Sequence, residues 1–209
     1  MSEKMFILGD SYSTYKGYIP EGYNYYYSDE REALPIVRGC EKTWWKIVSN
    51  KLGLDIACND SWSGSTLSTS VRSCHPIDAS FVLRTDKYIR EGFFEKTPID
   101  VFYIFGGTND SWIDVPVGKP VYSGFDEQSL KCVLPAFSYI LKRLLSVEGI
   151  KKIVVIVNTD LKEDITNGFV EIAEHYNVDC VLLRDIDKEN GHPTERGMRE
   201  IAEQVSALG

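Results

Sequence analysis

Apolar residues in this chain fall into short continuous runs separated by stretches of helical spacing, and five of the runs read as β-strands. Met5 to Gly9 is the first, and it stops at Asp10-Ser11. Leu54 to Cys58, Ile99 to Phe105 and Val178 to Leu183 read as the second, third and fifth. The fourth, Lys151 to Val157, is the most β-branched run and is expected to be central and parallel. Helical patterns alternate with these strands. One runs from about Glu41 to Leu52 and closes at Gly53, a suitable C-cap. Another lies near Ala79 to Phe94, with Phe81, Tyr88 and Ile89 on one face. Asp126 to Ser146 reads as one long helix kinked at Pro135, followed by Asp164 to Tyr176 and a closing helix from Thr194 to Ala207.

Strands alternating with helices, without a repeat or linker, predict an α/β fold: a five-stranded parallel sheet, doubly wound, with helices on both faces. A length of 209 residues suits a single domain spanning residues 1–209, large enough to bury roughly 70% of its unfolded surface. The one stretch without periodicity follows the first strand. It carries Tyr12, Tyr15, Tyr18, Tyr23, Tyr25, Tyr26 and Tyr27, and it reads either as an aromatic lid or as a loop tied down by its own rings.

Charge and composition narrow the function classes. A formal net charge of -8 and the lack of any Lys/Arg-rich run argue against nucleic acid as a partner. The apolar run before Asp10 is too short for a signal-peptide core or a membrane span, so a cytoplasmic protein without membrane contact is expected. Five scattered cysteines without a CxxC pair read as reduced thiols. No His/Cys/Asp cluster has metal-ligand spacing, and neither a metal nor a cofactor is expected.

In parallel sheets of this kind, ligands bind beyond the carboxyl ends of the strands. Short polar motifs occupy those ends: Gly9-Asp10-Ser11, Ser63-Gly64, Gly107-Thr108-Asn109-Asp110 and Gly191-His192-Pro193. Together they supply the parts that ester cleavage by a serine requires. Ser11 is the candidate nucleophile. His192, between the last strand and the last helix, is the candidate base; His175, at a helix end, and His75 are weaker candidates. The backbone N–H of Ser11, the N–H of Gly64 and the Asn109 amide are the candidate oxyanion donors. Removing one such donor typically costs roughly 2.7 to 4 kcal/mol of transition-state stabilisation. Asp10 is expected to support the nucleophile turn, and Tyr12, Trp62 and Trp112 to wall the site.

Ser11, Gly64, Asn109 and His192, in the contexts GDS, SGS, GGTND and GHP, resemble the four blocks of the SGNH hydrolases, the GDSL-like esterase and lipase superfamily. The resemblance spans residues 9 to 193, with GGTND and GHPT its specific parts. It implies a three-layer flavodoxin-like sandwich, metal-free acyl-enzyme hydrolysis, and substrates among acyl lipids, acetylated sugars and thioesters. No G-x-S-x-G elbow is present. Two positions depart from the family pattern: Tyr12 replaces Leu after the GDS, and Glu189 stands where the family has Asp three residues before the catalytic His. Glu189 is favoured as the acid that orients His192, with Asp187 or a backbone carbonyl as alternatives.

The polar, Tyr- and Trp-rich surround lacks a long apolar stripe, which favours short acyl groups on a small-molecule ester such as an acetylated carbohydrate. A non-catalytic carbohydrate-binding protein on the same fold is the alternative from another class. A flavin or nucleotide binder is weaker, because no phosphate-cradling glycine motif occurs.

Overall fold

The computed structural model describes residues 2–70 and 76–208. Its main strands are β1 (Lys4–Gly9), β2 (Asp55–Ser61), β3 (Ile99–Phe105), β4 (Ile150–Val157) and β5 (Asp179–Leu182). They pair in parallel in the order β2-β1-β3-β4-β5. The helices are α1 (Trp44–Leu52), α2 (Phe81–Arg90), α3 (Phe93–Lys96), α4 (Thr108–Trp112), α5 (Val133–Leu145), α6 (Glu163–His175) and α7 (Glu195–Ser206).

Alternation along each strand sends successive side chains to opposite faces, and both faces are covered. Met5, Ile7, Tyr103, Phe105, Val154 and Ile156 meet Trp44, Trp45 and Val48 of α1 and Met198, Ile201 and Val205 of α7. Phe6, Leu8, Phe102, Ile104, Ile153 and Val155 meet α2, α5 and α6 through Phe81, Phe137, Ile140 and Phe169. The result is the three-layer α/β/α sandwich with flavodoxin-like strand order. Because the chain leaves β1 for β2 on one side and reaches β3 on the other, the loops after β1 and β3 diverge and open a crevice at that strand end.

The structure departs from the sequence pattern at several elements. The helical pattern near Ala79 to Phe94 is broken at Gly92, whose left-handed backbone (φ 64°) separates α2 from α3. The long helix expected from Asp126 begins only at Val133. Pro135 therefore sits in the first turn, where a missing N–H breaks no intrahelical bond, and it causes no kink there. β2 continues beyond Cys58 through Asn59, Asp60 and Ser61, polar residues that are buried because they serve the site. The segment carrying His192 is not a plain loop. It is a hairpin of β6 (Lys188–Glu189) and β7 (His192–Pro193), paired antiparallel. Its turn residues Asn190 and Gly191 have φ of 50° and 76°, the two positive values that a tight hairpin turn demands.

Candidate active site

β1 ends at Gly9 because the backbone there lies too close to its neighbours for a side chain. A Cβ at Gly9 would lie 2.6 Å from Ser13 Cβ and would also run into Ser61 Oγ. A single 3-10 turn, Ser11–Ser13, follows, with Asp10 as its N-cap accepting from Tyr12 N–H at 3.0 Å. Trp44 Nε1 donates to Ser13 Oγ (3.1 Å) and Asn59 Nδ2 to the Ser13 carbonyl (3.0 Å), so the turn is fixed from both sides. Asp10 is fully buried, and its Oδ2 meets no hydrogen-bond partner of good geometry among the described residues. Burial pushes its pKa up to about 7. Asp10 thus caps the turn that presents Ser11.

The hydroxyl that this turn presents meets an imidazole. Ser11 Oγ and His192 Nε2 are 3.0 Å apart, and His192 Nδ1 lies 3.2 Å from the carbonyl oxygen of Asn190. A carbonyl can only accept, so Nδ1 carries the proton and Nε2 turns a lone pair towards the serine. That is the tautomer a general base needs. Burial lowers the His192 pKa from 6.5 to about 4; the Asn190 carbonyl opposes the shift, and the Arg31 and Lys188 charges add to it.

Neither carboxylate proposed to orient this ring does so. Glu189 lies opposite His192 in the hairpin register but is exposed to solvent. Asp187 accepts from Thr194 Oγ1 and from Arg196 Nη2 (2.6 Å), at the start of α7. The tight turn at Asn190-Gly191 brings a main-chain carbonyl to Nδ1 instead, the third of the alternatives open in the sequence.

Holding a carbonyl in that role requires a rigid hairpin, and hydrogen bonds to four other segments grip it. Tyr12 Oη donates to the Gly191 carbonyl and Tyr27 Oη to the Pro193 carbonyl (2.8 Å). Asn190 Nδ2 donates to the Leu34 carbonyl at 3.1 Å. Lys188 Nζ donates to Asn158 Oδ1 (3.0 Å), Thr159 Oγ1 and Asp160 Oδ2 (3.1 Å), binding the hairpin to the end of β4. The ring itself is covered on one face by Tyr26, stacked at a centroid distance of 3.5 Å and 6° from parallel. Arg31 Cζ lies 3.8 Å from the Tyr26 ring centroid. Trp112, about half exposed, approaches His192 edge-on at 5.5 Å.

The oxyanion candidates converge on the same rim. Gly64 sits in the turn from Trp62 to Ser65 with φ 83°, a left-handed backbone natural to glycine. Asn109, on the first turn of α4, donates from Nδ2 to the Ser65 carbonyl (2.9 Å). One amide proton ties it to the glycine turn, and the second remains to be donated. The neighbouring Asp110 accepts from Leu67 N–H (2.7 Å) and from Ser68 N–H and Oγ, which fixes the loop beyond Gly64.

Beneath these loops lies a residue that the motifs did not reveal. Arg84, 1% exposed, pairs with Asp60 Oδ2 (2.8 Å) and donates to the Gly9 carbonyl (3.1 Å), Ser65 Oγ (3.1 Å) and the Ala79 carbonyl (2.9 Å). One buried guanidinium therefore joins the end of β1, the end of β2 and the glycine turn. A charged residue at an apolar-helix position of α2 was its only sequence signal.

The wall residues divide. Tyr12 is 1% exposed and acts on the hairpin from below, so it is no part of a substrate wall. Trp62 is half-buried against Tyr23, with ring centroids 4.0 Å apart, and Trp112 borders the open side of His192. His175 stacks on Tyr122 at 3.6 Å on α6, while His75 lies outside the described residues. Among the described residues no helix is long and apolar enough to cross a membrane.

Comparison with known proteins gives one family. The model of the GDSL-like lipase/acylhydrolase family matches residues 3–208. Among solved structures, proteins from Bacteroides ovatus and Bacteroides uniformis assigned as GDSL-like lipases share 33% and 34% sequence identity with the chain, each with a TM-score of 0.89. These alignments cover 99% of this chain and 97% and 95% of theirs. An inhibitor-bound aryl esterase from M. smegmatis, 16% identical over 99% of this chain and 100% of its own, shares the fold with a TM-score of 0.62. No match is found among the curated proteins.

Proposed function

Since the chain belongs to the GDSL-like lipase/acylhydrolase family and is thereby a carboxylic ester hydrolase, we propose that it cleaves short acyl esters through an acyl-enzyme on Ser11. The observation that carries this reading is the 3.0 Å contact of Ser11 Oγ with His192 Nε2, whose other nitrogen faces a carbonyl.

The steps follow from the groups present. Ser11 Oγ attacks the ester carbonyl while His192 Nε2 takes its proton. The developing oxyanion is met by the N–H of Ser11, the N–H of Gly64 and the free amide proton of Asn109. His192 then returns its proton to the departing alcohol, and a water activated by the same nitrogen releases the acid from Ser11. The Asn190 carbonyl keeps the tautomer and accepts from Nδ1–H throughout, so the pair works as a Ser-His dyad. A carbonyl carries only a partial charge and compensates the imidazolium less than a carboxylate would.

The substrate is a small ester with a short acyl group, an acetylated carbohydrate being the preferred case. Support comes from Trp112, half exposed next to His192, and from the Tyr23-Trp62 pair near Gly64, surfaces on which a sugar can stack. Labelling with a fluorophosphonate tests the reading: Ser11 should be modified in the wild type and unmodified in His192→Ala. A wild type that does not react would leave a non-catalytic binding protein as the better account. Hydrolysis of long-chain p-nitrophenyl esters faster than the acetyl ester would overturn the acyl preference.

A further inference from the structure

The tyrosine-rich loop places beside the site a cation that no group among the described residues neutralises. The Tyr26 ring has two faces. His192 covers one at 3.5 Å, so a guanidinium carbon 3.8 Å from the same ring centre must cover the other. Arg31 is therefore held across the Tyr26 ring from the imidazole, one ring's thickness away.

Of the carboxylates nearest to Arg31 in sequence, Asp29 and Glu30 are engaged elsewhere, while Glu32 is exposed and makes no ion pair among the described residues. Asp29 accepts from Tyr15 Oη (2.7 Å) and Gly39 N–H (2.8 Å), and Glu30 pairs with Lys16 (2.6 Å). Arg31 forms no ion pair among the described residues, and its Nε is buried without a partner. Lys188, the other cation near His192, is saturated by Asn158, Thr159 and Asp160.

Left alone, this charge works against the proposed chemistry. A cation close to the base disfavours the imidazolium that must form as Ser11 loses its proton. A bound anion would remove that opposition. His192 is also the group that protonates the departing alcohol, so the alcohol leaves past its Nε2, on the imidazole side of the site and opposite the oxyanion donors. A carboxylate one aromatic ring away from the ester oxygen has a reach comparable to the spacing that the Tyr26 ring sets between His192 and Arg31.

We propose that Arg31 is a specificity residue that binds an anionic group, a carboxylate, on the alcohol portion of the ester. The inference rests on the esterase reading above and adds to it the charge of the substrate.

The test uses two acetyl esters of the same shape, 4-acetoxybenzoate and its neutral counterpart 4-acetoxybenzamide, with wild-type enzyme, Arg31→Gln and Arg31→Lys. A hydrogen-bonded ion pair at a partly buried site should favour the benzoate by roughly tenfold or more in kcat/KM. That preference should collapse in Arg31→Gln, mainly through the KM of the benzoate, and survive in part in Arg31→Lys. Comparing variants on the same pair cancels the intrinsic reactivity of the two esters, and turnover of the benzamide shows that each variant is folded. Equal kcat/KM for both esters in the wild type, or a preference that persists in Arg31→Gln, would overturn the assignment. Hydrolysis of neither ester would instead overturn the esterase reading, and this inference with it.

Discussion

Removing the Tyr26 ring isolates what replaces the missing carboxylate. Tyr26 lies on His192 at 3.5 Å and 6°, while the only polar restraint on the ring among the described residues besides Ser11 is the 3.2 Å contact from Nδ1 to a neutral carbonyl. A ring pair in such contact contributes roughly 0.5 to 1.5 kcal/mol beyond area burial. If that energy holds the imidazole in its reactive orientation, Tyr26→Ala should lower kcat by about two- to twelvefold, since about 1.4 kcal/mol corresponds to a factor of ten. KM should change little, because Tyr26 touches the base rather than the ester. The variant should also move the acid limb of the pH profile upward. Burial is the largest cause of the low His192 pKa, and opening one face to water relaxes it towards 6.5. Tyr26→Phe keeps the stacking ring and should behave as wild type. The assay is p-nitrophenyl acetate hydrolysis from pH 3.5 to 8, with thermal melts to confirm folding. The reasoning is refuted if Tyr26→Ala keeps wild-type kcat and pH profile, or if Tyr26→Phe is as impaired as Tyr26→Ala.

Other outcomes follow from the same geometry. Glu189→Gln should leave kcat/KM within about twofold of wild type, because that carboxylate is exposed and does not reach Nδ1; a hundredfold loss, of the order typical for a general acid–base group, would show that it does. Asn109→Ala should lower kcat by about a hundred- to a thousandfold with KM little changed, measured on the same ester, as for loss of one oxyanion donor. The wild-type pH profile of kcat/KM checks the base directly: His192 acts when neutral, so activity is present above its pKa and lost as pH falls through about 4 rather than through 6.5.

Much of this arrangement is legible in the sequence because the residues stand where apolar strand runs stop. Ser11, Gly64 and Asn109 each follow a strand, and a parallel sheet carries all such positions to one rim. Of the alternatives open in the sequence, the preference for Glu189 over a backbone carbonyl fails for a local reason. Counting three residues back from His192 reaches Glu189, but the Asn190-Gly191 dipeptide between them is a tight-turn signal, and reading it would have placed a main-chain carbonyl close to the imidazole. Arg84 was not legible, since nothing in a helix pattern tells which carbonyls from distant segments a guanidinium will collect. The roles of Tyr12, Tyr26 and Tyr27 were equally hidden. The loop that bears them has no periodicity, and its conformation is set by contacts with a hairpin more than 150 residues away in sequence. The expected aromatic wall is partly a clamp on the base.

In the proposed mechanism Ser11, activated by His192 alone, is the nucleophile. Steady-state hydrolysis of p-nitrophenyl acetate by purified wild type and Ser11→Ala, with circular dichroism of both, tests it most directly. Ser11→Ala should abolish turnover and leave the spectrum unchanged. Turnover retained by a clean preparation of Ser11→Ala would contradict it.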